Sequence, residues 1–240
     1  MPATPRACHG LVFGVVLMSA FHVMAADPAP ESLRLAATQA LPSKPERWTG
    51  EVFAQDIWTK HTVLHMFHQS FPHVFPFVAV DTDHHATVLT ETRFRSNPRP
   101  KPIEGFNQVA KAEALELDDA NIRAYAELFL RVHPSSAGLY IPTRKQTAAL
   151  LHSSAPTHSS ARKAERAPYK NDPVFHVTST KSGYRVVAYS WRFWFDGFYE
   201  HVACIARDGS VSYSSNLLGT PEHPRIEPDG TSETVAIACE

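Results

Sequence analysis

Hydrophobic and polar positions change period along this chain, and each change marks an element. Over residues 174–215 the pattern alternates, and β-branched and aromatic residues dominate, which is the signature of strands. Two Asp-Gly pairs, Asp196-Gly197 and Asp208-Gly209, punctuate the run. Asp-Gly suits the centre of a two-residue hairpin turn because both positions tolerate positive φ. A turn centred on Asp196-Gly197 sets Phe195 opposite Phe198, Trp191 opposite Val202 and Tyr189 opposite Cys204. These residues share a mostly apolar face, predicted to meet helices, with Glu200 as its odd member. The other face carries Ala188, Ser190, Arg192 and Trp194 against Tyr199, His201, Ala203 and Ile205. Its mixed character predicts a face open to solvent, as antiparallel sheets allow.

Elsewhere the period lengthens. Residues 118–133 place Ile122, Tyr125, Phe129 and Val132 on one helical stripe, with Asp118 as N-cap and Pro134 as stop. Phe53, Ile57, Leu64, Phe67 and Phe71 fall at helical spacing, which predicts a helix over 51–70 ended by Pro72. Shorter helical patterns run from Pro30 to Pro42, over 106–116 and from Thr143 to about Leu151, where Thr143 and Gln146 form a capping box. Two apolar runs near 76–94 flank Asp81-Thr82-Asp83-His84-His85 and read as a hairpin. Alternation at 234–239 suggests a C-terminal strand. Residues 152–173 are rich in Ser, Ala and Pro, with little to bury, and read as a mobile loop. The expected fold is therefore α+β: one antiparallel meander, plus a hairpin and a C-terminal strand, packed on one face by two or three helices.

The N-terminus adds a compartment. Arg6 precedes an apolar stretch from Leu11 to Ala25, closed by small residues, which is the layout of a secretory signal peptide over 1–25. The stretch is shorter than the roughly 20 residues a membrane-spanning helix needs. Cleavage would leave a single domain, exported to the periplasm or the medium, with no stable membrane insertion. The chain has 23 Lys+Arg and 24 Asp+Glu, so losing Arg6 leaves 22 against 24. That balance gives no reason to expect nucleic acid as a partner. Cys204 and Cys239 are the cysteines left after cleavage, and an oxidising compartment predicts a disulfide between them.

Candidate chemistry is sparse. The chain shows no G-x-S-x-G elbow, phosphate-cradling glycine loop or C-x-x-C pair. The first expectation is a non-catalytic protein that needs no cofactor and binds a protein partner or small ligand. Its candidate surface is the polar sheet face, through Arg192, Trp194, Tyr199 and His201, where Arg192 lies opposite His201 and Trp194 opposite Tyr199. A cation beside aromatic rings makes a shallow recognition surface. The second reading is a Zn or Cu binding protein. On a helix, His65 would lie about 40° from His61 and His68 about 20° on its other side, one narrow stripe. Imidazole suits both metals, and His84 and His85 of the hairpin turn would supply further ligands. A hydrolase assembled from distant residues is the third reading.

Overall fold

Pro30 and Glu31 open the first helix, α1 (Glu31–Gln39), and Arg34 ties it down. Its guanidinium pairs with Glu31 at 2.7 Å and donates to the carbonyls of Pro45 and Trp48, each at 2.9 Å. The computed structural model describes residues 27–53, 55–70, 76–90, 102–133, 138–152, 173–192, 197–220, 223–227, 229–230 and 239. The predicted signal segment 1–25, nearly all of the predicted loop 152–173 and nearly all of the predicted C-terminal strand 234–239 lie outside these residues, as does Trp194.

The first sheet contains β1 (Trp48–Val52), β2 (His61–His68), β3 (Phe77–Asp81) and β4 (Ala86–Val88), antiparallel and in that order. The hairpin predicted near 76–94 is β3–β4. Three helices follow the α1 pattern: α2 (Pro102–Glu113), α3 (Ile122–Val132) and α4 (Arg144–Leu151). The Thr143 side chain accepts from Gln146 N at 3.1 Å and so caps α4. Asp118 acts one turn earlier than expected: its carboxylate accepts from the amides of Ala120 and Asn121 at 2.9 and 3.0 Å, shaping the turn that leads into α3.

The second sheet holds β5 (Gly138–Ile141), β6 (Phe175–Ser179), β7 (Gly183–Arg192), β8 (Gly197–Ala206), β9 (Val211–Thr220) and β10 (His223–Pro224). Its order is β10-β9-β8-β7-β5, and β6 also pairs with β7. The fold is thus α+β with two antiparallel sheets.

Packing stacks these elements in layers. On one face of the first sheet, Trp48, Leu64, Met66, Val78 and Val80 meet Ala36 and Ala37 of α1. On its other face, Val63, Phe77 and Ala79 join α2 and α3 in the central core, which Tyr184, Val186, Ala188, Ala203 and Ile205 of the second sheet complete. The far face of that sheet packs Val187, Tyr189, Trp191 and Phe198 against Ala148 and Leu151 of α4.

The layering corrects three expectations. Residues 51–70 are not a helix: 61–68 form strand β2, and the Gln55 side chain holds a loop before it by accepting from Ile57 N and Trp58 N at 2.9 and 2.7 Å. Both faces of β2 are covered, so apolar side chains occupy both parities, and the periodicity that marks a half-buried strand is lost. The meander register also differs. Gly197 stands opposite Arg192, and Val202 faces Val187 instead of Trp191. The slip is even, so each side chain keeps its face, because sheet faces repeat every two residues. Lastly, the mixed face is covered by helices: Ser190 is 3% and His201 2% exposed. The second hairpin turns through Arg207, Asp208 and Gly209, a three-residue loop closed by Ala206 N to Ser210 O at 2.8 Å, with Gly209 at φ 82°.

Candidate functional site

The histidine stripe does not survive as a stripe. In β2, His61 and His65 point to the central-core side while His68 points to the α1 side, since neighbouring parities face opposite ways. His68 is buried against Trp48, ring centroids 4.7 Å apart, and burial pushes its pKa down, with the Arg47 charge a smaller cause. His65 stacks on Phe77 at 4.3 Å and lies 3.3 Å from Glu51 Oε1; burial lowers its pKa against the opposing pull of that carboxylate. His61 Nδ1 is 2.8 Å from Glu113 Oε1. Glu113, on α2, also accepts from Thr59 N at 2.9 Å and from Lys60 N at 2.9 and 3.1 Å. Burial would raise the Glu113 pKa, but the hydrogen bond to His61 and those from the two amides outweigh it and hold the carboxyl below its ordinary value. His85 Nδ1 pairs with Asp81 at 3.1 Å within the β3–β4 turn, and His84 has a positive φ of 65° there. Among the described residues, no three His, Cys, Asp or Glu side chains come together as a metal cage.

The residues predicted to form an open sheet surface are placed differently too. Arg192 lies opposite Gly197, and His201 lies opposite Ala188, so the Arg192–His201 pair is not formed. Tyr199 is half-buried and faces Ser190 across the strands. His201 instead joins a relay over three neighbouring strands. Ser190 Oγ is 2.7 Å from His201 Nε2, and His201 Nδ1 is 2.7 Å from the Tyr213 hydroxyl. A neutral imidazole donates on one side and accepts on the other, so Ser190 and Tyr213 satisfy both ring nitrogens. On the opposite face, the odd member Glu200 is buried with Tyr189 OH donating to it at 3.3 Å and Arg144 at 3.9 Å. Burial, reinforced by the Glu200 charge, pushes the Tyr189 hydroxyl up to about 12.

An open cleft lies at the other end of the second sheet, and sequence patterning gave no sign of it. Its volume is about 530 Å³. The turn before β7 contributes Thr180 and Ser182, the start of β9 contributes Ser210 and Ser212, and α2 contributes Asn107. Comparison of the chain with family models, with curated proteins and with solved structures returns no match. The chemistry of the cleft must therefore be read from its own walls.

Those walls are held firmly. Asn107 clamps β9 with both ends of its amide, accepting from Val211 N at 2.8 Å and donating to Val211 O at 3.0 Å. Ser210 donates to Asp208 at 2.7 Å. Gly183 lets the 180–182 turn approach β8, because a Cβ there would lie 2.1 Å from the Ile205 carbonyl oxygen. Tyr184 lines the base and donates to Asp119 at 3.0 Å. The Thr180 hydroxyl has no hydrogen-bond partner among the described residues.

The disulfide expected between Cys204 and Cys239 is formed, with Cα atoms 5.4 Å apart, and both cysteines line the cleft. Cys204 belongs to the sheet face that meets α4, as its parity requires.

Proposed function

We propose that this chain is an exported protein that binds a small, uncharged, hydroxyl-bearing molecule in the cleft beside the Cys204–Cys239 bridge. The observation that carries this reading is the lining. Among the described residues the wall carries Ser, Thr, Asn and Tyr groups and no charged side chain. Its volume of about 530 Å³ falls in the range of small-ligand sites, roughly 300–1,000 Å³. A charged ligand would have to shed water without a counter-charge in return, which is costly. A neutral polyol or sugar exchanges its water for serine and threonine hydroxyls on nearly equal terms.

The surface supports a small ligand over a protein partner. Among the described residues Leu35 is the only large hydrophobic side chain that is exposed, and stable protein interfaces need an apolar centre. Export rests on the N-terminal pattern, and the disulfide suits an oxidising compartment. No helix among the described residues is long and apolar enough to cross a membrane.

Saturation-transfer NMR on the chain without residues 1–25, against a panel of neutral mono- and disaccharides and linear polyols, tests the reading. Transfer to at least one compound is expected, and it should vanish in Ser212→Trp, which fills the cleft from an exposed strand position. Silence across the panel, or undiminished transfer in Ser212→Trp, would reject it.

A further inference from the structure

A hydroxyl on a cleft wall can meet a ligand by donating or by accepting, so serines that turn freely discriminate little. Ser210 does not turn freely. It lines the cleft at the entry to β9, half-buried, and its hydroxyl donates to Asp208 Oδ1 at 2.7 Å. We infer that Ser210 is a specificity-determining residue of the cleft: it accepts a hydrogen bond from one ligand hydroxyl and rejects the same molecule when that proton is missing. The inference rests on the small-ligand function proposed above and adds to it the polarity of one contact.

The polarity follows from counting protons. A serine hydroxyl has one proton and two lone pairs, and an ionised carboxylate can only accept. Asp208 is ionised across the neutral range, because the Ser210 hydroxyl first, and the Ser210 amide after it, hold its carboxyl below the ordinary value. The Ser210 proton is therefore committed to Asp208, and the lone pairs of Oγ are what it offers to the cleft. A hydroxyl that donates to a carboxylate is polarised by it, which strengthens its own oxygen as an acceptor. A ligand atom that is itself an acceptor, such as an ether oxygen or a fluorine, meets those lone pairs with no proton between them.

Ser210 Oγ is also held in place before any ligand arrives. The Ser210 amide donates to Asp208 Oδ1 at 2.9 Å, and the Ser210 carbonyl accepts from Ala206 N at 2.8 Å. Next to it Gly209 takes a φ of 82°, and its carbonyl accepts from the hydroxyl of Tyr125, which is buried in the central core. On the other side Asn107 grips Val211 through both its amide and its carbonyl. Residues 208–211 thus form a braced segment, and a contact to Ser210 Oγ costs little ordering of the protein. Other hydroxyls of the wall play different parts. Tyr184 spends its proton on Asp119 at 3.0 Å and accepts from Arg207 at 3.5 Å, whereas Ser212 is exposed on β9, where a hydroxyl can turn to donate or to accept.

Two measurements on the chain without residues 1–25 test the inference. The first follows the Asp208 carboxyl carbon by NMR against pH, with no ligand added. In Ser210→Ala its midpoint should rise, since the leading cause of its depression is gone. An unchanged midpoint would show that Ser210 does not give its proton to Asp208, and would overturn the inference. The second takes each neutral sugar or polyol that shows saturation transfer and replaces its hydroxyls one at a time by fluorine, which cannot donate. At one position the affinity should fall about tenfold, the worth of one hydrogen bond to the wall. In Ser210→Ala the parent and that fluorinated analogue should bind alike. Full affinity for every fluorinated analogue, or a loss that persists in Ser210→Ala, would overturn this inference and leave the proposed function standing. A panel with no binder at all would reject both.

Discussion

Burial decides what each polar contact in the second sheet is worth. His201 is 2% exposed, and its two ring nitrogens lie 2.7 Å each from the Ser190 and Tyr213 hydroxyls. An imidazole in water loses little when one partner goes, but a buried one is left with a nitrogen that nothing solvates. Ser190→Ala should therefore cost about 1–3 kcal/mol, the usual range for stranding a buried polar atom. Urea unfolding of the variant checks this, and a cost below about 0.5 kcal/mol would mean that water reaches the ring. The arrangement has the order of a nucleophile, a base and an orienting group. At 3% exposure Ser190 is closed to substrate, and the relay serves to make a polar strand pair acceptable inside the core.

Among elements, the link between α2 and β2 illustrates how a single side chain positions a strand. Glu113 closes α2, yet its carboxylate is bound almost wholly by the chain entering β2, through Thr59 N, Lys60 N and His61. Four donors on one buried carboxylate, the Thr59 hydroxyl at 3.4 Å among them, hold the start of the strand against the helix end. Glu113→Ala removes the acceptor for all four donors and strands two amides. The expected loss is about 2–4 kcal/mol, each hydrogen bond to a charged group contributing about 1.5–3 kcal/mol before relaxation and entry of water. Hydrogen exchange at Thr59 and Lys60 should accelerate in the variant by far more than exchange at Val202 in β8. Uniform acceleration would show that the contact adds to global stability without specifically holding this segment.

For the whole molecule, the same buried groups set how stability varies with pH. Burial lowers the pKa of His68, and of His65 too, so the unfolded chain takes up protons near pH 6.5 that the folded chain refuses. Their stabilisation is fully present above that pH and is lost as pH falls towards the folded values. Glu113, held below its ordinary value by His61 and the two amides, contributes stability that is present above the ordinary carboxylate range and is lost as pH falls through its folded pKa. Unfolding free energy should thus decline in two stages on acidification, the first beginning near pH 6.5 at about 1.4 kcal/mol per pH unit for each imidazole fully engaged. Urea unfolding at a series of pH values reads both stages. His68→Gln should flatten the first and leave the second, whereas an unchanged first slope would show that His68 is solvated in the folded state.

How much of this was legible in the residue order follows from how far each feature depends on neighbours distant along the chain. Alternation over 174–215 is local, and it produced the meander, as the spacing of Ile122, Tyr125 and Phe129 produced α3 and the Thr143–Gln146 pair the cap of α4. Two remaining cysteines allowed one bridge, and it is the one formed. Strand β2 was illegible because layers on both of its faces erase the one-sided pattern that would announce a strand. The meander faces were legible and their register was not, since a slip by an even number of residues leaves every side chain on its own face. What covers each face is decided by helices far off in sequence, which turned the expected open surface of Ser190 and His201 into core. The cleft draws its walls from residues 107, 180–184, 204–212 and 239, and no local pattern reports that these meet. Where a segment carries a one-sided pattern, the chain order determined whether it extends or coils, through short-range sterics and periodic burial. Only the tertiary structure decided which polar groups are enclosed and where a cavity remains, because both depend on layers closing over one another across the whole chain.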